Sequence, residues 1–195
     1  MEQVTDELLM TRVAKGDFQA FEALVQRHSA SLYRFAFRLI GQEDEAQEVV
    51  QEIFLRVWRH AKKYDASRPL DTWLYTIGRR VALNAARSAK ARRSHEMEAP
   101  HLRTQEQPAI EDVADMRPAA EERLSSRERE EAVRRALAEL APRQRMALVL
   151  HHYEDFSYRQ IAEVMGVSVS SVESLIFRAR RRLSQALREV LGESG

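Results

Sequence analysis

The sequence contains no cysteine. Disulfide bonds, zinc sites built on thiolates and cysteine nucleophiles are therefore excluded together. Glycine and proline are scarce, with 6 and 5 residues in 195, and this scarcity favours helices over a strand-and-turn architecture. No apolar run approaches the roughly 20 residues that cross a bilayer, and the amino terminus lacks a basic segment followed by a hydrophobic one. We therefore expect an all-α, cytoplasmic protein without membrane insertion.

Motifs for catalysis or metal binding are also missing. The six histidines show no spacing with carboxylates or serines that would assemble a triad, and there is no glycine-rich phosphate loop. His151 and His152 are adjacent, so on a helix they point about 100° apart and cannot chelate one ion. We expect them at the surface, and we expect no enzyme activity, no catalytic residue, no metal and no cofactor.

Charge is balanced overall but unevenly distributed. The formal net charge is only +1, so a purely electrostatic argument for binding nucleic acid fails for the whole chain. Two basic clusters nevertheless stand out, one over residues 79–93 and one over residues 178–182. The stretch between them is acidic from Glu96 to Glu122. This distribution indicates two contact points for a polyanion, separated by a spacer that the polyanion repels.

The first half of the chain has the apolar spacing of three amphipathic helices. From Asp17, apolar residues recur at intervals of three and four up to Gly41, which suits a helix end. A second helix is predicted from near Asp44. A third follows a turn at Asp65 to Asp71, and it directs Leu74, Ile77, Val81 and Ala85 inward. These three helices can share one core.

The middle of the chain is predicted to be a flexible acidic linker. Residues 94–125 hold three of the five prolines, few aromatic residues and an acidic bias, a composition that cannot easily bury enough surface to fold. Helical spacing resumes with Val133, Ala136, Leu137 and Leu140. We therefore predict two small helical domains, residues 1–93 and 126–195, joined by residues 94–125.

The second domain contains a predicted helix-turn-helix. Ser157 with Gln160 forms a capping box, and Gly166 can stop the short helix in the left-handed conformation. Ser170 with Glu173 is interpreted as a second capping box. The following helix presents an outward face that can enter a major groove, made of Ser171, Ser174, Arg178 and Arg181. The alternative is an ordinary amphipathic hairpin with solvated arginines.

Residues Ala138 to Leu183 resemble the domain that reads the minus-35 promoter element in sigma factors of the extracytoplasmic-function (ECF) type. The resemblance rests on three blocks: Leu140, Pro142, Arg143 and Arg145; Ser157, Ile161, Ala162 and Gly166; and Arg178 to Arg180. Basic residues are usual in the family where Glu173 and Leu175 stand, so contacts there are not carried over. The resemblance implies that double-stranded minus-35 DNA is bound by Arg143, Ser157, Tyr158, Ser168, Ser170, Ser171, Ser174, Arg178 and Arg181.

The second predicted helix resembles the polymerase-binding segment of the same family. Its sequence AQEVVQEIF matches the family signature, with Gln47 and Glu48 where Glu and Asp are usual. The implied docking surface for the coiled coil of the largest polymerase subunit consists of Glu48, Gln51, Glu52 and Arg56. Glu48 and Glu52 lie one turn apart and would attract a basic partner. They could also ligate a metal, although no histidine lies one turn away.

The third predicted helix, TWLYTIGRRVALNAAR, resembles the segment that melts and reads the minus-10 element. The preceding loop, Ala66 to Thr72, matches the one that captures an unstacked base in relatives. Trp73 and Tyr75 could stack on bases if exposed, and Trp73 could equally belong to the core. The family commonly has Asn at Arg80 and Asp at Asn84, so base preference can differ. The implied contacts to melted DNA are Ser67, Arg68, Thr72, Trp73, Tyr75, Thr76, Arg79, Arg80, Asn84 and Arg87.

Together the resemblances imply an alternative sigma factor that binds core RNA polymerase, directs it to promoters and initiates transcription, in a stress or envelope response under an anti-sigma factor. Three rivals remain: a regulator that binds duplex DNA alone, a helical protein-interaction module, and a nucleic-acid-processing enzyme, which has no motif support. Phe177, near the reading face, could contact a thymine methyl group, the linker or an inhibitor.

Overall fold

The computed structural model describes residues 4–96 and 131–191. Every regular element in these two ranges is helical, which confirms the all-α prediction. The elements are α1 (Asp6–Val13), α2 (Phe18–Ile40), α3 (Glu43–His60), a 3-10 turn (Ala61–Lys63), α4 (Leu70–Glu96), α5 (131–139), α6 (Pro142–His152), α7 (Tyr158–Met165) and α8 (Val169–Leu191). Residues 94–96 of the predicted linker form the end of α4, and residues 97–125 lie outside the described part of the chain.

Helices α2, α3 and α4 share one core, as their apolar spacing predicts. The Asp17 side chain accepts a hydrogen bond from the Ala20 amide at 3.0 Å and so begins α2. Gly41 ends α2 at φ 81°, a left-handed conformation that glycine adopts at little cost. Phe35 and Ile53 are fully buried between the helices, with 0% of their surface exposed.

Helices α3 and α4 approach closely at Gly78. A methyl group added there would lie 3.3 Å from the Ile53 Cδ1 atom and 3.5 Å from the Phe35 Cε1 atom. The second distance is an ordinary contact, but the first is short, so a methyl group would fit only if Ile53 moved by a few tenths of an ångström. Glycine at this position therefore allows α4 to lie directly on the core side of α3.

Helix α1 has no counterpart among the predicted elements. Thr5 caps it, and Leu9, Met10 and Val13 are buried against the rest of the first domain. Its Glu7 carboxylate accepts a hydrogen bond from the Leu70 amide at 3.3 Å, at the start of α4. This contact joins α1 to the first turn of α4 across more than sixty residues of sequence.

Two carboxylates enclose the ring of His28, which is 9% exposed on α2. Its Nε2 atom lies 2.8 Å from Asp6, and its Nδ1 atom lies 3.7 Å from Asp71 in the first turn of α4. Asp6 also accepts a hydrogen bond from Arg27 at 2.6 Å. Polar contacts therefore attach α1 to both α2 and α4, in addition to the packing of its buried apolar side chains.

In the second domain, α7 and α8 form the predicted helix-turn-helix. Both arms of the Ser157 and Gln160 capping box are present, and Gly166 ends α7 at φ 65°. The axes of α7 and α8 differ by 101°, within the range usual for this motif. The prediction that Ser170 caps α8 is wrong. The helix begins at Val169, and the Ser168 hydroxyl accepts from the Ser171 amide at 3.2 Å.

The two halves of the chain pack against each other, which the sequence did not predict. Helix α7 contacts α4, and α6 contacts α2. A single cluster of buried apolar residues runs from the first domain into α6 and α7, and the Tyr75 and Phe156 rings meet in it at 5.0 Å. A smaller cluster joins α5, α6 and α8 through Leu137, Leu148 and Ala179.

Within the described ranges, no single helix combines the length and apolar character needed to cross a membrane. Helices α7 and α8 have the required length and apolar character only when they are taken as one segment across the bend between them.

Candidate nucleic-acid and partner interfaces

The outward face of α8 presents the residues predicted to read duplex DNA. Short hydroxyl side chains lie at its amino-terminal end, and guanidinium groups lie further along. The Ser168 hydroxyl is 2.8 Å from that of Ser171 and 3.1 Å from that of Ser170. The exposed serine and arginine side chains of this face are Ser168, Ser170, Ser171, Ser174, Arg178 and Arg181. The face therefore has small hydrogen-bond donors and acceptors at its tip, which suit base edges. The cations further along the helix suit phosphates.

Three further residues predicted to bind the minus-35 element lie around this face. Ser157 is exposed, but its hydroxyl is already used by the capping box, at 2.7 Å from Gln160 Oε1. Tyr158 is half-buried, with its ring 5.0 Å from the ring of His151. Arg143 is exposed in the first turn of α6. The Ser157 hydroxyl is thus the least available of these groups, whereas the Arg143 guanidinium can reach a phosphate from the surface.

Apolar side chains are also exposed near the reading face. Phe177 is 68% exposed and Val169 is 42% exposed on α8. Their exposure leaves each free to meet a base methyl group or a protein partner. Val169 was not predicted as a site residue, although its position beside the hydroxyl cluster could have indicated it.

The polar stripe predicted on α4 is largely at the surface. Arg80, Asn84 and Arg87 are exposed, whereas Thr76 is half-buried and donates to the Thr72 carbonyl at 2.7 Å. Spacings of four and three residues keep these three exposed side chains on one side of the helix. They can follow a phosphate backbone while Asn84 reaches a base edge.

The loop before α4 is ordered by hydrogen bonds to its own backbone. The Asp65 carboxylate accepts from the Ser67 amide at 3.0 Å, which is the main reason its pKa is lowered. The Tyr64 hydroxyl donates to the Arg68 carbonyl at 2.6 Å. Burial, followed by nearby carboxylates led by Glu7, raises the Tyr64 pKa to about 12. Ser67 and Arg68 are exposed at the tip of this loop.

The aromatic side chains predicted to stack on bases differ in exposure. Tyr75 is 3% exposed, between the rings of Phe35 and Phe156 at 5.0 Å each, and its hydroxyl donates to Glu154 at 2.5 Å. Burial raises the pKa of Tyr75 above its ordinary range. Thr72 is also buried. Trp73 is half-buried beside Tyr64, at 5.3 Å between rings, so it is neither fully core nor free. In this arrangement of the domains, Tyr75 and Thr72 are not accessible to a base.

The predicted polymerase-docking side of α3 is at the surface. Glu48 and Gln51 are exposed, and Glu52 forms an ion pair with Arg56 at 2.6 Å along the same helix. The Arg56 guanidinium therefore orients Glu52 as well as offering a charge of its own.

An apolar surface that the prediction missed continues from this side of α3. Leu55 is 50% exposed, Trp58 is 38% exposed, and Phe18 of α2 is 65% exposed with its ring 6.1 Å from that of Trp58. The signal available in the sequence was the presence of Leu55 and Trp58 on the otherwise polar side of α3.

No group of three or more potential metal ligands comes together in the part of the chain that the structure describes. Glu48 and Glu52 belong to no such group. The chemistry offered by the described surface is hydrogen bonding, charge and stacking.

Comparison with known proteins identifies both halves of the chain. Residues 24–92 match the family described as Sigma-70 region 2, and residues 122–183 match Sigma-70, region 4. The ECF RNA polymerase sigma-E factor of Escherichia coli K12 is 31% identical, with 97% of this chain and 98% of that protein covered. The chain belongs to the ECF sigma factors.

Further similarities support this assignment. The RNA polymerase sigma-H factor of Pseudomonas aeruginosa is 32% identical to this sigma factor, with 98% of each chain covered. The solved structure of CnrH in complex with the cytosolic domain of CnrY is 29% identical, with a TM-score of 0.65 and with 94% of this chain and 97% of that chain covered.

Family membership fixes the general activity of this sigma factor. It is a transcription initiation factor that binds core RNA polymerase and directs it to promoters. The region 2 match begins at residue 24 inside α2, so α1 lies outside it. The region 4 match includes α6, α7 and the first part of α8.

Proposed function

We propose that this sigma factor uses three separate faces during initiation. The exposed side of α3 docks on core polymerase, the exposed side of α4 with its preceding loop reads the melted minus-10 element, and the exposed side of α8 reads the minus-35 element. The observation that carries the proposal is the outward face of α8. It combines four exposed serines with two exposed arginines on a helix set at 101° to α7.

The minus-35 assignment follows from the chemistry of that face. Serine hydroxyls can donate to or accept from any base edge, and they are short enough to let the helix tip lie deep in the groove. Arg178 and Arg181 lie one and two turns further along, where they can contact phosphates or guanine. Glu173 is exposed beside them and can accept from a cytosine amino group.

The minus-10 assignment rests on the exposed stripe Arg80, Asn84 and Arg87 together with the ordered loop at Ser67 and Arg68. A loop whose backbone is already fixed loses less conformational entropy when a base enters it. Trp73 can complete the pocket, because part of its ring remains exposed beside the loop.

The polymerase assignment rests on a surface with both charge and apolar area. Glu48 and Gln51 are exposed, and Glu52 is held by Arg56. An acidic surface attracts a basic partner and speeds its association. Leu55 lies one turn beyond Gln51 and adds apolar area to the same contact.

Regulation by an anti-sigma protein is part of the proposal. The similar protein CnrH was solved with the cytosolic domain of CnrY bound to it. A comparable inhibitor would act here by covering the faces described above. We place this sigma factor in the cytoplasm, where its polymerase and promoter DNA are found.

Reconstituted transcription with purified core polymerase on a promoter library tests these assignments. Arg178→Ala should weaken promoter binding by the holoenzyme while leaving polymerase association unchanged, because it removes one DNA contact. Gln51→Ala should weaken polymerase association and leave the selected promoter sequence unchanged.

Matched control variants separate these effects from general damage. Arg180→Ala removes the same charge from an exposed position about 200° around α8 from Arg178, so it should retain promoter binding. Gln26→Ala removes the same exposed side chain from α2 and should retain polymerase association. If Arg178→Ala and Gln51→Ala both behave like the wild type, the site assignments are wrong.

A further inference from the structure

The first turn of α4 is held by a residue from elsewhere in the first domain. The first amides of a helix have no acceptor within that helix, and Pro69, which precedes α4, has no side-chain oxygen that could cap it. The Leu70 amide donates instead to the Glu7 carboxylate of α1 at 3.3 Å. The start of α4 therefore depends on α1 and not on a local cap.

His28 of α2 lies between the same two helices. Its Nε2 atom is 2.8 Å from the Asp6 carboxylate of α1, which is a hydrogen-bond distance. Its Nδ1 atom is 3.7 Å from the Asp71 carboxylate in the first turn of α4. Arg27 also donates to Asp6 at 2.6 Å and so fixes the position of that carboxylate. Helices α1, α2 and α4 thus meet at a support cluster, which consists of Asp6, Glu7 and His28.

The support cluster lies beside the loop that the proposed function assigns to the captured base. Burial, followed by nearby carboxylates led by Glu7, raises the pKa of Tyr64, which begins this loop. The Tyr64 hydroxyl donates to the Arg68 carbonyl at 2.6 Å, and its ring lies 5.3 Å from that of Trp73. Trp73 belongs to the first turn of α4, so fraying of that turn would displace this ring together with the end of the loop.

We propose that the support cluster positions the minus-10 loop for base capture. It holds the first turn of α4, and with it Trp73 and the loop tip, in the geometry that receives an unstacked base. The inference rests on the proposed function for the identity of the loop. It gives α1, which lies outside the region 2 match, a part in promoter reading that is exerted through the loop and not through contact with DNA.

The physical basis of this role is the entropy of binding. A pocket that is already ordered loses little conformational freedom when a base enters it, whereas a frayed turn must become ordered at that moment. Within the loop, the tip is fixed by two contacts, from the Ser67 amide to Asp65 and from Tyr64 to the Arg68 carbonyl. The carboxyl-terminal end of the loop is fixed by the first turn of α4. Loss of that anchor should weaken base capture about fivefold.

Holoenzyme assembled from the full-length chain and core polymerase provides the assay. A promoter selected from the library is prepared with its minus-10 element held unpaired by mismatches, so that melting does not limit binding. Each unpaired nucleotide is replaced in turn by an abasic one, and the replacement that most weakens wild-type binding identifies the captured base. Selectivity is the ratio of the affinities for the intact promoter and for this abasic promoter.

Two variants remove the support, and two serve as controls. Glu7→Ala removes the acceptor of the Leu70 amide, and His28→Leu occupies the same space without polar contacts. Each should lower selectivity about fivefold and leave polymerase association unchanged. Glu7→Gln keeps a side-chain oxygen that can accept from the Leu70 amide, so it should retain wild-type selectivity. Glu22→Ala removes an exposed carboxylate from α2 outside the proposed sites and should also retain it.

The ratio separates positioning from general damage. A variant that merely unfolds more easily loses affinity for both promoters by the same factor, so its selectivity stays at the wild-type value. Unchanged selectivity in both Glu7→Ala and His28→Leu would therefore overturn the inference, as would equal losses in Glu7→Gln and Glu7→Ala. If no abasic nucleotide weakened binding by the wild-type holoenzyme, the minus-10 assignment itself would be wrong, and the inference would fall with it.

Discussion

Replacement of Gly78 by alanine should affect stability differently in the native protein and in the Ile53→Val variant. An alanine in a helix interior is more stable than glycine by about 1 kcal/mol, because glycine loses more conformational freedom on folding. In the native protein this gain is opposed, since the new methyl group would lie 3.3 Å from Ile53 Cδ1. Ile53 is fully buried and cannot move away freely. We expect Gly78→Ala to change stability by about zero or to cost about 1 kcal/mol.

Ile53→Val removes the atom that causes this close contact. By itself it should cost about 0.5 to 1.5 kcal/mol, as one buried methyl group is lost. In that background Gly78→Ala should be stabilising by about 1 kcal/mol, because the Cδ1 atom no longer opposes the new Cβ. The two substitutions should therefore be coupled by about 1 to 2 kcal/mol.

Urea unfolding followed by tryptophan fluorescence measures these differences. Trp58 and Trp73 are the only tryptophans and both lie in the first domain, so the signal reports on α3 and α4. Unfolding midpoints should be compared only between variants whose free energy of unfolding has the same dependence on urea concentration. Additive effects, within about 0.5 kcal/mol, would refute the argument that Ile53 limits the space at Gly78.

Three other predictions concern protonation, capping and salt. Burial raises the pKa of Glu154 above 4.5, although Tyr75, Arg38 and Arg34 oppose the rise. The folded protein therefore binds this proton more tightly than the unfolded chain, so the contribution of Glu154 to stability should be fully present below pH 4.5 and should be lost as pH rises through the raised pKa. Thermal unfolding followed by circular dichroism as a function of pH should follow this trend, and a trend that persists in Glu154→Gln would assign it to another group. Ser157→Ala should cost about 1 kcal/mol in thermal unfolding followed by circular dichroism, because α7 loses its cap, whereas no loss would mean that another acceptor replaces the hydroxyl. For Arg178→Ala, the slope of log promoter affinity against log salt concentration should become shallower by about 0.9 if Arg178 contacts a phosphate, and an equal slope would exclude that contact.

Local features of the fold were predictable because each depends on neighbouring residues. Asp17 and Gly41 delimit α2 through a side-chain cap and a left-handed glycine, both of which are visible in the sequence. The Ser157 capping box is a four-residue pattern and was predicted correctly. The start of α8 was placed two residues late, since Ser168 and Ser170 are equally good caps and only packing chooses between them.

Features that depend on distant contacts were not predictable in this way. Helix α1 is short and follows no long apolar pattern, and it is stabilised by contacts such as Glu7 with the Leu70 amide. The position of Tyr75 along α4 is compatible with either a surface location or a core location. Its burial is set by Phe156 and Glu154, which lie about eighty residues later in the chain. Periodicity within one helix contains no information about such a neighbour.

The predicted site residues illustrate the same limit. Exposure of the serines and arginines on α8 follows from helical spacing alone, so the sequence indicated that face well. Exposure of Tyr75 and Arg79 depends on where the second domain lies. The apolar area at Leu55 and Trp58 was missed because only polar side chains on that side of α3 were taken as site residues, although both apolar side chains are exposed.

The link between Glu7 and the start of α4 affects how this protein can be shortened or tagged. A fragment trimmed to residues 24–92, the span of the region 2 match, would lack both the acceptor for the Leu70 amide and the Asp6 partner of His28. Helix α4 should fray at its first turn in such a fragment, and the loop that precedes it should lose its anchor. Fusion partners are therefore better attached beyond residue 191, and activity lost on amino-terminal trimming need not signify a lost contact with polymerase or DNA.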